Sequence, residues 1–385
     1  MKKLLVCLLI ALPLGASTIE SPAMWLRTHA LPLASVEASA DDSDLTPFLP
    51  FFANAHIVAL GDATHGTHEF FSVKQRLIRL LVKHANVRTI AFEAPYGEFE
   101  AIRDYVRTGA GDPAALLRND DYFFWNTDEV LDTIRWVRAW NAAGNPPVDI
   151  VGVDAYHTKT TIVRLLAQLD PSARAEAARA YECVGRFTKR EECHAAVMAV
   201  RPMLEARRAP AESIYAARLV EEGEESLNRD AAMAENIEQL ADREGAGNLV
   251  VWGHNEHFGR NQRSAGETLA ARYGAAYVAI GTMALRGSFN AVEFVGDSMV
   301  VSHFALEDAS PDDYAAAFTA ASMPRMIVPL RGLLPTWLSA PRPMRIAGSN
   351  VISHNETTVT LTEDLAKSFD AVIYIEATTP SRLRQ

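Results

Sequence analysis

IVALGDATHGTHE, residues 57–69, begins with four apolar residues and then changes abruptly to glycine and polar side chains. An apolar run of this length that ends at a glycine is typical of a buried strand. Asp62 and His65 follow it closely, and His68 and Glu69 come a few residues later. Because ligands bind at the carboxyl ends of the strands in open parallel α/β sheets, the stretch predicts an acid/base site at a strand end.

Strand and helix patterns alternate outward from this stretch. Short apolar runs bounded by turn residues predict strands, and apolar residues at helical spacing predict helices between them. This alternation favours an α/β fold with a mostly parallel sheet flanked by helices. The predicted strands are 57–60, 87–92, 148–153, 249–252 and 276–280, and the predicted helices are 70–85, 99–108, 128–141, 160–169 and 268–272.

The remaining regions complete the predicted organisation. Residues 171–243 are rich in Ala, Glu and Arg, and predict three or more helices with almost no strand. We therefore divide the chain into a signal peptide, 1–17, an α/β core, 18–154 and 248–385, and an additional helical layer inserted at 155–247. An arm before the core carries one predicted short helix near 34–40. Later signals predict strands near 299–302, 326–329 and 371–375, and helices near 311–320 and 333–338.

The N-terminal sequence predicts the compartment. In MKKLLVCLLIALPLGAS two lysines precede an apolar run and then small residues. This pattern predicts a secretory signal peptide, too short to span a membrane, and hence a secreted or periplasmic protein. Loss of Lys2 and Lys3 would change the formal net charge from −11 to −13. Such an acidic protein is not expected to bind nucleic acid or an anionic membrane surface.

Two cysteines remain after the predicted signal peptide. Cys183 and Cys193 both fall in the helical region. In an exported protein such a pair predicts a disulfide, which here would join two helix ends. Two buried thiols are the alternative.

Ionisable residues follow four of the predicted strands, so in a parallel sheet they would meet at one edge. One histidine or carboxylate after a strand is weak evidence, because buried polar groups commonly hydrogen-bond structurally and carboxylates commonly cap helices. Several together are harder to explain by packing, since grouping acids and histidines costs desolvation. The residues that should converge are Asp62, His65, Glu93, Asp154, His254 and His257.

The residue types present point to one kind of chemistry. The sequence has no Gly-x-Ser-x-Gly elbow, no GxxxxGK[ST] phosphate loop and no GxGxxG fingerprint. Histidines with carboxylates then predict direct attack by water, in which a histidine takes the water proton and a carboxylate orients the histidine. A zinc or manganese site built from the same donors is one alternative, although neither histidine pair has the HExxH spacing. A homologue that binds a ligand without turning it over is another.

Three segments resemble the signature segments of the erythromycin esterase family: GDATHGTHEF at 61–70, AFEAP at 91–95 and WGHNEH at 252–257. WVRAWN at 136–141, GVDAY at 152–156 and FDAVIYIEATTP at 369–380 are also similar, so the resemblance covers nearly all of the mature chain in order. It implies hydrolysis of a small-molecule ester without a metal or other cofactor. A macrocyclic lactone such as a macrolide is one candidate substrate.

The resemblance also implies roles for individual residues. His65 would activate the water, with Asp62 and Glu93 as the essential acids. The second histidine pair of the family falls on His254 and His257. Asp62 stands where the family commonly has glutamate, which shortens the carboxylate by one methylene.

Several other residues are candidates for the site, and most of them also have a structural interpretation. Lys74 stands where the family has arginine, and we group it with Asp154 and Arg260 as substrate-binding residues. Asp154 could equally cap the following helix, and Arg260 could be a solvated rim residue. His68 and Glu69 are expected to begin a helix. Trp125 and Tyr122 could form an aromatic wall for an apolar substrate, although core packing is the preferred interpretation.

Overall fold

The computed structural model describes residues 21–118, 124–184, 190–225, 228–243, 245, 247–295, 298–347 and 358–384. The segment interpreted as a signal peptide and Tyr122 lie outside these residues. No helix within the described ranges is both long and apolar enough to cross a membrane.

A nine-stranded sheet forms the centre of the fold. The strands of the described chain are β1 (Leu31–Pro32), β2 (Ile57–Asp62), β3 (Val87–Pro95), β4 (Asp149–Asp154), β5 (Asn248–His254), β6 (Tyr277–Val295), β7 (Ser298–Ala305), β8 (Arg325–Pro329), β9 (Arg342–Ile346), β10 (Val359–Glu363) and β11 (Ala371–Thr378). The main path runs β1-β8-β11-β6-β2-β5-β3-β4. All pairs from β11 to β4 along this path are parallel, whereas β8, β1 and β7 pair antiparallel. The predicted α/β class with a mostly parallel sheet is confirmed.

Helices cover both faces of the sheet. The α-helices are α1 (Pro22–His29), α2 (His68–His84), α3 (Tyr96–Thr108), α4 (Pro113–Leu116), α5 (Asp128–Ala142), α6 (Lys159–Gln168), α7 (Pro171–Tyr181), α8 (Arg190–Met198), α9 (Val200–Ala206), α10 (Ala211–Glu225), α11 (Arg229–Ala241), α12 (Asn255–Phe258), α13 (Ala265–Tyr273), α14 (Tyr314–Phe318), α15 (Thr336–Ser339) and α16 (Leu365–Ser368). Short 3-10 helices occupy Thr46–Phe52, Gly274–Ala276 and Thr319–Ala321.

The central strands are apolar on both faces, because each face is covered by helices. In β2, Val58 and Leu60 belong to a core cluster that also contains apolar residues of α2 and α5. Ile57 and Ala59 point to the opposite cluster, which contains residues of α11 and α13. Successive side chains of a strand alternate between faces, so one continuous apolar run fills two cores. This burial fixes the register that places the strand ends.

The helical segment between β4 and β5 is divided between two cores. Leu165, Leu204 and Val220 belong to a third cluster built mostly from α6 to α10. Met233 and Ile237 of α11 pack instead in the cluster on the sheet. The last helix of the segment is therefore part of the layer that covers the strands, which brings its first residues to their carboxyl ends.

The predicted helix near 34–40 is not formed. Side chains bond to the backbone N–H groups there: Asp44 accepts from Ala34 N at 2.8 Å, and Ser35 accepts from Glu37 N at 3.0 Å. Such local side-chain bonds compete with helical ones. The helix of this arm is α1, which Ser21 caps and a proline begins.

Two β features were not predicted. β6 continues past its predicted end at Ile280, and beyond Gly287, where its pairing with β11 ends, it pairs antiparallel with β7. β9 and β10 form a separate two-stranded sheet, in which Val359 pairs with Ile346. β10 has exposed and half-buried residues only, so its sequence lacks the apolar run that marks the central strands.

The predicted disulfide is present. Cys183 follows α7, Cys193 lies in α8, and their Cα atoms are 5.5 Å apart. Closing a loop with a sequence separation of 10 should stabilise the fold by about 3 kcal/mol, because the bond restricts the unfolded chain.

We expect the Cys183→Ser, Cys193→Ser double variant to lose about 3 kcal/mol of free energy of unfolding in urea, because the disulfide is absent. Dithiothreitol should destabilise the wild type to a similar extent and leave the variant unchanged. Equal stability of the oxidised wild type and the variant would contradict this prediction.

Candidate functional site

The parallel register of β2 and β5 places an acid beside a histidine. Asp62 pairs with His254, and each is the last residue of its strand. Both side chains are buried, because the apolar strands continue up to the glycine that precedes each residue. The strand ends therefore bring together two of the residues that the sequence predicts to converge.

His65 lies on the loop after β2 and contacts two carboxylates. Its Nδ1 is 2.9 Å from Asp62 Oδ1, and its Nε2 is 3.7 Å from Glu93 Oε2. The residue is 5% exposed. One carboxylate therefore faces each ring nitrogen, which is the arrangement that balances a charged imidazolium.

Lys74 holds Asp62 from the other side. Its Nζ forms an ion pair with Asp62 Oδ2 and donates to the carbonyl of Gly253 at 3.0 Å. Lys74 is 0% exposed. Its position behind Asp62 leaves no surface for the predicted contact with a substrate, and its partner is the carboxylate instead.

Glu93 lies within β3 rather than after its end. The register between β3 and β4 shifts between Phe92 and Pro95, and Glu93 falls in this irregularity. Its Oε2 accepts a hydrogen bond of 2.8 Å from the backbone N–H of His254. A β-carbon on Gly253 would lie 2.7 Å from the same oxygen, so glycine is needed for this close approach.

Arg229 joins the strand-end residues from the first turn of α11. Its guanidinium donates to Glu93 Oε1 at 2.7 Å and to Asp154 Oδ2 at 2.6 Å, and it lies 2.8 Å from His257 Nε2. Asp154 also accepts from the N–H of Tyr156 at 3.1 Å. Asp154 does not cap the following helix, because α6 begins at Lys159 and has Thr158 at its N-cap position. Its carboxylate bonds instead to the backbone just after β4 and to Arg229 of the cluster.

His257 lies in α12 between two acids. Its Nδ1 is 3.0 Å from Asp230 Oδ1, and its Nε2 is 3.4 Å from Glu93 Oε1. Neither Arg229 nor Asp230 was predicted from the sequence. Both come from a helix whose docking depends on distant apolar contacts, and adjacent opposite charges at a helix start are too common to indicate a site.

His254 has a different environment from the other two histidines. Its Nε2 lies 3.4 Å from the carbonyl oxygen of Ala63 and 3.3 Å from that of Ala347. Because carbonyls only accept, Nε2 carries the hydrogen. The ring centroid of His254 is 5.2 Å from that of His65.

The charge states of the two neighbouring histidines differ. Burial alone would lower the pKa of His65, but the charges of Asp62 and Glu93 outweigh it and raise this pKa to about 9. Burial and the charge of His65 lower the pKa of His254 to about 4. At neutral pH, His65 is therefore an imidazolium and His254 is neutral.

The acids stay ionised despite their burial. Burial favours the neutral carboxyl of Asp62, but the charges of Lys74 and His65 hold its pKa below the usual range. Burial acts in the same direction on Glu93, and the charges of His257, Arg229 and His65 hold its pKa well below the ordinary value. Each acid is thus a carboxylate because cations surround it.

An aromatic wall covers one side of His65. Phe124 stacks on its imidazole, with ring centroids 5.0 Å apart and planes 10° apart. The indole N–H of Trp125 donates to the carbonyl of Glu93 at 3.1 Å. Trp125 is 1% exposed and belongs to the core, as the preferred interpretation predicted.

Three polar residues lie away from the cluster. Arg260 pairs with Asp370 and donates to the carbonyl of Tyr277 at 3.3 Å. Tyr277 begins β6 and Asp370 precedes β11, so Arg260 is at the amino edge of the sheet, opposite the site. His68 begins α2 and Glu69 lies in its first turn, as predicted.

The donor groups are arranged in charge pairs. Among the described residues, no group of three or more His, Cys, Asp or Glu side chains could hold a metal ion. Asp62 contacts a lysine, and Glu93 and Asp154 share an arginine. These carboxylates are therefore partners of cationic side chains.

Fold and site together define an α/β protein whose histidines and carboxylates meet at the carboxyl edge of a parallel sheet. The family model described as erythromycin esterase matches residues 82–378. The chain belongs to the erythromycin esterase family. The matched part begins after Asp62 and His65 and contains Glu93, His254 and His257.

Individual known proteins share the fold. A Bacillus cereus protein of solved structure is 25% identical, with a TM-score of 0.81 over 94% of this chain and 98% of that one. An erythromycin esterase EreC mutant, solved in its open conformation, is 14% identical, with a TM-score of 0.72 over 88% of this chain and 95% of that one. Erythromycin esterase type II of Escherichia coli is 25% identical over 130 residues, or 34% of this chain. The alignments with the Escherichia coli protein and with a Bacillus subtilis relative each span 30% of that relative's length.

Replacing Lys74 by methionine should lower the free energy of unfolding by about 3–5 kcal/mol, because Asp62 would remain buried without its cation. The double variant Lys74→Met, Asp62→Asn should recover most of this loss, since it removes both charges. Lys83→Met is the matched control on the same helix. Lys83 pairs with Asp42 at 2.8 Å in a more exposed position, so its loss should cost less than about 1 kcal/mol. Urea unfolding measures all three, and equal losses in the two single variants would contradict the prediction.

Proposed function

We propose that this protein hydrolyses a carboxylic ester of a small molecule by direct attack of water. The observation that carries the proposal is the position of His65 between two buried carboxylates, 2.9 Å from Asp62 and 3.7 Å from Glu93. Membership of the erythromycin esterase family supports hydrolysis as the class of reaction. A macrocyclic lactone such as a macrolide is the candidate substrate. Secretion or a periplasmic location is the compartment that the N-terminal sequence supports.

His65 is the general base in this proposal. Its Nδ1 lies 2.9 Å from Asp62 Oδ1, so we assign the hydrogen of the neutral imidazole to Nδ1, next to that carboxylate. Nε2 then takes the proton from the attacking water, and Asp62 stabilises the imidazolium that forms. Glu93 Oε2, 3.7 Å from Nε2, lies where it can orient the water.

Arg229 and His257 stabilise the oxyanion. Their side chains are 25% and 22% exposed, whereas those of the acids and of His65 are almost completely buried. Arg229 is therefore a cation that a bound ester can reach, and His257 lies 2.8 Å from it. Burial would lower the pKa of His257, but the charges of Glu93 and Asp230 outweigh it and raise this pKa. Positive charge placed where negative charge develops stabilises the transition state.

The bonds and protons balance without a cofactor. The water oxygen bonds to the ester carbonyl carbon, and His65 receives the water proton. The tetrahedral intermediate then expels the alkoxide, which takes the proton from the imidazolium. A carboxylic acid and an alcohol are released, and His65 returns to its base form. Neutral His254, beside His65, completes the base network.

Replacing His65 by alanine should lower kcat/KM for an accepted ester by at least about 1000-fold, because the water loses its base. His84→Ala, an exposed substitution at the end of α2, is the control with unchanged activity. Mass spectrometry of macrolides and simple esters for addition of one water identifies the accepted ester. Near-normal turnover by the folded His65→Ala variant would contradict the proposal, and loss of wild-type turnover in a chelator would favour the metal-dependent alternative.

The pH dependence distinguishes the two buried histidines as bases. With a pKa of about 9, His65 is neutral in only about 1% of molecules at pH 7. If it is the base, kcat/KM should rise about tenfold per pH unit and level off near pH 9. His254, with a pKa of about 4, is neutral throughout this range, so a rate that is flat between about pH 6 and 9 would assign the base to His254 and contradict the role of His65.

A further inference from the structure

The loop that carries His65 is anchored through one backbone carbonyl. Gly66 O accepts hydrogen bonds from the N–H of Asn290, at 3.0 Å, and from the N–H of Ser381, at 2.8 Å. A β-carbon on Gly66 would lie 1.8 Å from the carbonyl oxygen of Asn290, so β6 runs directly against the loop. The position of His65 thus depends on β6 and on the segment around Ser381.

Residues 379–384, which follow β11, form a segment that we call the strap. The carbonyl of Thr379, the first residue of the strap, accepts a hydrogen bond of 3.0 Å from the N–H of His68. The N–H of Thr379 donates to Glu69 Oε2 at 2.7 Å. Further along, the carbonyl of Ser381 accepts from Asn290 Nδ2 at 2.7 Å, and its hydroxyl lies 3.0 Å from the same nitrogen. The strap is therefore bonded to the His65 loop, to the start of α2 and to β6.

The far end of the strap holds residues 124–127. Arg384 and Asn126 exchange two hydrogen bonds, in which the N–H of Arg384 donates at 3.0 Å and Asn126 Nδ2 donates back at 3.0 Å. Thr127 and Leu383 form an antiparallel bridge. The strap thus pairs with residues 124–127 as a short antiparallel strand would.

Residues 124–127 continue from the wall of the site. Phe124 stacks on the imidazole of His65, and the indole of Trp125 donates to the carbonyl of Glu93. The strap therefore bonds both to the loop that carries His65 and to residues 124–127, which cover the imidazole of His65.

A buried acid fixes the middle of the strap. Glu129 is 4% exposed, and it accepts from the N–H of Arg382 at 3.2 Å and contacts His68 Nδ1 at 2.5 Å. The N–H of Asp128 donates to the carbonyl of Arg382 at 2.9 Å. These bonds join the strap to the starts of both α2 and α5, the two helices that frame the loop.

We propose that the strap positions the general base, by holding the His65 loop and the aromatic wall at a fixed separation. In no described contact does a strap residue touch the carboxylates or cations of the cluster, so the strap acts through Gly66 and Phe124. Asn290 is a positioning residue, because it joins the strap to the loop. The inference rests on the proposed function for its catalytic consequence, while the geometry it describes can be tested without a substrate.

Asn290→Asp tests the strap with little change of shape. The variant keeps the oxygen that contacts His303 and replaces Nδ2, the donor to Ser381 O, by an oxygen that repels that carbonyl. We expect kcat to fall at least about tenfold with KM within about threefold, because misplacing the base affects the transition state more than ground-state binding. Deletion of residues 380–385 should lower kcat further. Arg286→Ala is the matched control, since it breaks an exposed ion pair with Glu376 of β11 and should leave kcat unchanged.

Hydrogen–deuterium exchange supplies a readout that needs no turnover. In Asn290→Asp, peptides that contain residues 63–67 and 124–127 should exchange faster, while Arg286→Ala should match the wild type. This result together with the loss of kcat supports the strap. Unchanged exchange in Asn290→Asp, or faster exchange with unchanged kcat, overturns the proposal. If the truncated protein does not fold, Asn290→Asp alone decides. If the wild type hydrolyses no ester, the proposed function fails, and exchange still tests the geometry.

Discussion

The carboxylate of Glu93 is shared by more groups than any other side chain of the site. Oε1 contacts Arg229 and His257, and Oε2 accepts from the backbone of His254 and faces His65. A buried carboxylate is costly unless it is paired and hydrogen-bonded, so this ion requires all of these partners to stay in place. In turn, the charge of Glu93 raises the pKa of both His65 and His257.

Acidic and basic side chains are paired throughout the cluster. Arg229 is a cation, burial lowers the pKa of Lys74 to about 8, and the pKa values of His65 and His257 are raised. Four carboxylates face these four basic groups, namely Asp62, Glu93, Asp154 and Asp230. Each charge therefore enters the low-dielectric interior with a partner, which explains how so many ionisable groups can meet at one sheet edge. The pairing depends on three parts of the chain, because strand ends supply most groups, α11 supplies Arg229 and Asp230, and the strap braces the His65 loop.

The central strands and their site residues could be predicted because both depend on local patterns. Apolar runs define the strands, and a parallel sheet brings the residues after them to one edge. Arg229 and Asp230 could not be predicted, since the docking of α11 is set by contacts distant in sequence. The burial of Lys74 did have a signal, because it shares one helical face with the apolar Phe70, Leu77 and Leu81. No sequence pattern distinguishes an arginine of the amino edge, such as Arg260, from one of the site.

The most direct test of this account is the titration of the His65 imidazole by nitrogen-15 NMR, assigned by its absence in His65→Ala. We expect a pKa of about 9. Glu93→Gln should shift this pKa towards the ordinary value, because one of the two facing carboxylates is lost. A pKa near the ordinary value of about 6.5 in the wild type, unchanged by Glu93→Gln, would contradict the claim that the shared carboxylate organises the site.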